Sequence, residues 1–272
     1  MRAARACRWL ATTASQALPR LVSQTAVMNN TNLRLSRWVR TILLTGGAAV
    51  VIGASTLGFG AYSYLKPTAS ASGPIESVPL TDTAFAQGAS TGSSATIYDI
   101  QPSASQASFT VDEVLRGSPY TVVGTTNQVS GQIALDGSDP RDVQVGTILV
   151  DARTLATDDS SRNRALGNQI LSTSEYEYIS FTPTQFTGLP DSVTTGQPFT
   201  FQATGDLTIR GVTKPATFDV TVTPSVDGSL DGSAITTIQY ADWGVSIPNV
   251  PFVASVDKDV QLAFDFTAIA AA

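Results

Sequence analysis

Two cationic pairs are the residues best placed to do chemistry in this chain. In "GDLTIRGVTKPATFDVTVTP", Gly205 to Pro224, Arg210 and Lys214 flank a short hinge between two runs of alternating apolar and polar residues. Guanidinium and ammonium groups both bind phosphate well, so beside an opening this pair could hold a phosphate headgroup. A plain hairpin accounts for the same residues: Gly211 takes a positive φ, Pro215 begins a strand without losing a ladder donor, and the charges keep an edge soluble. The second pair, Arg162 and Arg164, lies in "TDDSSRNRALGNQIL", Thr157 to Leu171. Residues two apart on a helix do not share a face, so one could reach a ligand while the other meets solvent or Asp158.

Most other chemistry is excluded by composition. The chain has no histidine, and its one cysteine is Cys7. A Ser-His-Asp triad, a Cys-His pair, histidine-ligated zinc and a CxxC redox pair all need side chains that are missing. An enzyme would have to work with carboxylates such as Asp242, Asp257 or Glu175, and an acid/base pair needs matched environments that no spacing reveals. The acidic groups Asp136 to Asp139 and Asp227 to Gly232 lack the length and terminal Glu of an EF-hand loop, and Asp-Gly between strands makes turns. No metal ligand set and no cofactor are expected.

These residues are carried by β-strands. "ASFTV", "GQIALD", "DVQVGTILVD", "EYISFTPTQF", "FTFQATGDLTI", "ATFDVTVTP", "SAITTIQY" and "VQLAFDFTA" alternate or run apolar, with "ATIYDI" a bent extension of the first. They are rich in β-branched and aromatic residues and are parted by Gly, Pro, Asp and Asn, which predicts about eight antiparallel strands closing into a barrel or sandwich. Thr157 to Leu171 breaks the pattern: Asp158 or Asp159 can cap a short helix whose Leu166, Ile170 and Leu171 face the core, weakened by Gly167. Period-2 spacing puts Phe109 with Val111 on one face, likewise Phe199, Phe201, Leu207 and Ile209, then Phe218 with Val220, and Phe264 with Phe266. Phe181 and Trp243 complete this apolar set. An eight-stranded barrel either fills with such side chains or holds one ligand, and the pattern alone fits both.

Charge is divided unevenly along the chain. Eight of the sixteen basic residues and none of the twenty-two acidic ones precede Glu76. The acidic bulk is not expected to bind nucleic acid. Residues 1–40 form a basic segment, within which a start at Met28 leaves an ordinary n-region. Residues 41–65 are uncharged and could span about 37 Å against roughly 30 Å of bilayer hydrocarbon. With Arg34, Arg37 and Arg40 before this run and Lys66 after it, a membrane crossing holds the N-terminus in the cytoplasm and exports the rest. The rival is a cleaved signal peptide ending in the small residues of "PTASASG". Residues 66–95, rich in Ser, Thr, Ala, Gly and Pro, read as a flexible linker. Residues 96–272 hold the strands.

In order, "YDIQPSASQASFTV", "GQIALD", "VDARTLATDDSSRNRALGNQILSTSEYEYISF", "LTIRGVTKP", "DWGVSIPNV" and "DKDVQLAFDFTA" resemble the segments of the YceI-like family, over roughly Thr96 to Ala268. The resemblance implies an all-β fold, an eight-stranded antiparallel lipocalin-like barrel with one short helix. It also implies a secreted or periplasmic bacterial setting and a polyisoprenoid or other long lipid as partner. On that reading Phe109, Val111, Phe181, Phe201, Leu207, Ile209, Phe218, Val220, Trp243, Phe264 and Phe266 are cavity candidates, and Arg162, Arg164, Arg210 and Lys214 headgroup candidates. The chain departs from the family where a histidine often follows the opening Asp-Pro, having Ala104 there. It departs again where Arg-Asp-x-His-Leu is common, having Arg162, Asn163, Arg164, Ala165 and Leu166. Whatever those histidines do elsewhere is missing here. The expected protein is a membrane-anchored, non-catalytic lipid carrier, and a solidly packed, surface-displayed sandwich is its rival.

Overall fold

The computed structural model describes residues 66–80, 95–136, 139–251 and 253–271. The described residues all belong to one unit of the chain, Gly53–Ala272. The membrane crossing expected at 41–65 and the basic segment before it lie outside them. Among the described residues no helix is long and apolar enough to cross a membrane.

Among the described residues thirteen antiparallel strands make one sheet: β1 (Thr96–Ile100), β2 (Gln106–Leu115), β3 (Ser118–Thr126), β4 (Val129–Ser130), β5 (Gln132–Asp136), β6 (Asp139–Val145), β7 (Ile148–Asp151), β8 (Tyr178–Thr187), β9 (Phe199–Ile209), β10 (Val212–Pro224), β11 (Leu230–Gln239), β12 (Val253–Val256) and β13 (Asp259–Ala270). The number departs from the expected eight because several long runs are cut. A 3₁₀ turn at Pro102–Ala104 parts β1 from β2, Gly131 parts β4 from β5, and Gly146 and Thr147 part β6 from β7. Pairing passes from β7 through β8, β9, β10 and β11 to β13. From β13 it passes to both β1 and β2, which pair with β5 and β3, and β4, one residue before β5 in the chain, pairs with β7. The sheet therefore curls on itself, as fits a lipocalin-like barrel, with alternate side chains turned inward.

The turn between β9 and β10 is two residues long, because Ile209 pairs with Val212. Arg210 and Gly211 both take positive φ, +50° and +73°, which is the two-residue hairpin whose twist matches its strands. Pro215 does not begin β10 as expected but lies within it, opposite Asp206. It is accommodated there because β11 starts to pair with β10 only at Asp219, leaving that stretch with a neighbour on one side.

The helix α1 (Ser160–Ala165) is capped by Asp159, whose carboxylate accepts from the amides of Ser161 and Arg162, each at 2.8 Å. At Leu166–Ile170, around Gly167, it widens into a π-helical turn. Leu166 and Leu171 are buried.

Residues 66–80, part of the stretch read as a linker, run without regular secondary structure along the outside of the barrel. Asn168 Nδ2 donates to the Lys66 carbonyl at 2.7 Å, and the Thr68 methyl lies over Gly167, where a Cβ would be 2.8 Å away. Ser72 donates through its amide and its hydroxyl to the two oxygens of Glu177, both at 2.9 Å. Further along, Ser130 Oγ donates to the Glu76 carbonyl, and the Leu80 amide donates to Gln132 Oε1 at 2.8 Å. Residues 81–94 lie outside the described part.

Candidate functional site

The barrel is hollow. A cavity of about 1100 Å³ runs inside it, bordered by aliphatic and aromatic side chains from nearly every strand. Its wall follows from the period of 2: β9 turns Phe199, Phe201, Ala203, Leu207 and Ile209 inward, and β10 turns in Phe218, Val220 and Val222. Several inner residues, among them Phe181, Phe201, Ala234 and Phe264, keep accessible surface although they face the barrel's interior. Open space lies in front of them, so the solidly packed sandwich is not what this sequence builds.

All eleven apolar candidates border the cavity. The rings of Phe181 and Phe218 meet with centroids 4.7 Å apart, and those of Phe264 and Phe266 stack at 5.4 Å. Trp243 is buried, and its indole N–H donates to the Leu207 carbonyl at 3.0 Å, which satisfies the one polar atom of a side chain otherwise suited to an oily wall. Phe186 joins them unexpectedly. A bulge between Pro183 and Gln185 shifts the register of β8, so that Phe181 and Phe186, of opposite parity, both face inward.

The four cationic candidates are not brought together. Lys214 is exposed and does not border the cavity. Arg210 does not border it either, and donates through Nη1 to the Gly244 carbonyl at 2.9 Å, pinning the segment that follows the Tyr240–Trp243 turn. Arg164 turns back to Ser161 Oγ at 3.1 Å. Only Arg162 reaches the wall, and it is already engaged: Nη1 meets Asp158 Oδ1 at 2.6 Å and Nη2 meets Glu113 Oε1 at 3.1 Å. Its Cζ lies 5.6 Å from the centre of the Tyr120 ring. The Tyr120 hydroxyl donates to Asp158; this bond raises the tyrosine and, with the nearby Arg162 guanidinium, holds Asp158 below the usual carboxylate range.

Glu113 was not among the expected site residues. It stands on β2 in the inward register of Ala107, Phe109, Val111 and Leu115, where an acid is out of place, and that misfit was the available signal. The carboxylates considered for catalysis, Asp242, Asp257 and Glu175, are exposed and lie off the cavity wall. Asp227 accepts from the amide and hydroxyl of Ser229 and makes a turn.

An antiparallel sheet curled around an apolar cavity fits the class of lipocalin-like barrels. More particularly, the YceI-like domain profile matches residues 98–268, and the chain belongs to that family. Two solved structures share the fold. BcnA of Burkholderia cenocepacia is 18% identical, with a TM-score of 0.50 over 62% of this chain and 98% of its own. A polyisoprenoid binding domain from Saccharophagus degradans, implicated in plant cell wall breakdown, is 14% identical, with a TM-score of 0.51 over 64% of this chain and 98% of its own. No curated protein sequence matches the chain.

Proposed function

We propose that the barrel binds and carries a long apolar lipid, a polyisoprenoid or a chain of similar character, without chemical turnover. The observation that carries this reading is the cavity of about 1100 Å³ with its wall of Phe, Leu, Ile and Val. Family membership adds to it, as does the Saccharophagus relative's description as a polyisoprenoid binding domain. Burying a CH₂-sized group contributes about 0.8 kcal/mol, so each five-carbon unit supplies roughly 3–4 kcal/mol before ordering costs. Four or five such units are enough for micromolar or tighter binding. No catalytic group is needed.

The same reading places the barrel outside the cytoplasm, held near its lipid source by a crossing at residues 41–65. Its support is the uncharged run and the arginines before it. Organic extraction of the purified protein followed by mass spectrometry is the test, and a stoichiometric lipid is expected. A protein that comes out empty and takes up no isoprenoid probe would overturn the reading. Protease accessibility in intact and permeabilised cells tests the location, with the barrel cut only from the outer side.

A further inference from the structure

Glu113 is a residue that the barrel does not need for packing. It is 9% exposed, on the inner face of β2 between Val111 and Leu115, where the alternation asks for an apolar side chain. A buried carboxylate is costly unless paired and hydrogen-bonded. Arg162 serves one oxygen, Oε1, at 3.1 Å, and Glu113 itself borders the cavity. A carboxylate thus stands at the edge of an otherwise oily space.

The surroundings say which donor suits it. The charged residues that border the cavity, Glu113, Arg116, Asp159 and Arg162, all gather at this end, and Asp158 adjoins them. Three carboxylates therefore face two guanidinium groups. Arg162 is shared between Glu113 and Asp158, and Arg116, on the turn after β2, has an interaction of its own. The opposite end is bordered by Phe186, Leu189, Val193 and Phe199, with Thr96 and Tyr98 as hydroxyl-bearing neighbours, and none of the charged residues on the wall lies there.

Given the lipid-carrier reading, on which this rests, we propose that Glu113 determines head-group specificity. It takes long chains that end in an uncharged hydrogen-bond donor, an alcohol hydroxyl, and rejects the same chain esterified to phosphate. The hydroxyl donates to the carboxylate. A phosphate brings further acceptors and negative charge to an end where carboxylates already outnumber guanidinium groups, so it is repelled.

Equilibrium binding of one isoprenoid alcohol and of its monophosphate to the full chain tests this without any variant. The alcohol is expected to bind at least about tenfold more tightly, the worth of a hydrogen bond to a charged acceptor. E113Q removes the charge and keeps an acceptor, and should narrow that ratio by about tenfold, chiefly through gained phosphate affinity. E113M should weaken the alcohol by about tenfold and leave a head-free hydrocarbon of equal length unchanged. Equal or tighter binding of the phosphate by the unaltered protein would overturn the proposal while the carrier reading stands. Failure of all three probes to bind would overturn the carrier reading itself.

Discussion

Filling the cavity from within separates a hollow barrel from a packed one. Ala234, on β11 opposite Val220 and Phe264, faces the interior and keeps accessible surface there. In a packed core, Ala234→Phe would be an overpacking substitution costing about 1–3 kcal/mol. At roughly 2–4 °C of Tm per kcal/mol for a domain of this size, that is a fall of up to about 12 °C. In the cavity described above the ring enters open space, so Tm should move by no more than a few degrees. The ring also takes the place of about one five-carbon unit of ligand, worth roughly 3–4 kcal/mol. Affinity for a chain long enough to fill the cavity should then drop by about 10²- to 10³-fold, while a chain one unit shorter loses much less. Calorimetric melting together with titration of a chain-length series reads both quantities. A large fall in Tm, or an affinity indifferent to the substitution at every length, would refute the reasoning.

Arg153→Ala should loosen residues 66–80: the guanidinium donates to Ser72 Oγ at 2.8 Å and to the Thr173 carbonyl at 2.9 Å, and pairs with Glu177 at 2.9 Å with both side chains largely buried. Loss of about 1–3 kcal/mol in denaturant, with faster hydrogen exchange at the Ser72 amide, is expected. Gly205→Ala places a Cβ 2.3 Å from the Thr182 carbonyl oxygen and 2.6 Å from Pro183 Cα, both backbone, so it should cost at least about 3 kcal/mol and lower the soluble yield. Asp158 titrates below its ordinary range, held there first by Tyr120 and then by Arg162, so its contribution is present above the unfolded-state pKa and is lost as pH falls through the depressed one. A Tm-against-pH profile should fall on the acid side, and Asp158→Asn should flatten that limb. Asp151 is raised, chiefly by burial, and acts with the opposite sign, its contribution lost as pH rises through its raised pKa. Asp151→Asn keeps an acceptor for the Arg153 amide and should raise Tm near neutrality relative to acid.

The inner wall was legible wherever a strand keeps its period. The odd-numbered residues of β9 from Phe199 to Ile209 alternate without interruption, and the structure turns them all inward. Legibility fails where the register slips, as at the bulge after Pro183, which brings Phe186 beside Phe201 with ring centroids 6.0 Å apart. The number of strands was illegible for a related reason, since a 3₁₀ turn or a glycine interrupts hydrogen bonding without interrupting the apolar pattern. Hollowness was illegible altogether. It depends on how far apart the walls stand, which strand number and tilt decide, and the same Phe, Leu and Val side chains would serve a solid core.

The polar features show a second kind of limit. Residues 66–80 carry no periodicity because much of what binds them is backbone: the carbonyls of Lys66, Ser70 and Glu76 and the amides of Ser72 and Leu80. A groove that reads main-chain groups leaves no trace in the side-chain pattern of the segment it holds. Arg210 misled in the opposite direction, since its charge drew attention to ligand chemistry while its guanidinium secures a carbonyl 34 residues away. Glu113 lies between these cases. Its position in the inward register of β2 was visible, but alternation by itself argues that an acid belongs outside. Only Arg162, delivered by α1 from 49 residues further along, makes the inward carboxylate tenable. A carboxylate kept at the wall of an oily barrel costs stability even when Arg162 pairs with it, and on the carrier reading that carboxylate has a use when the cargo brings a donor.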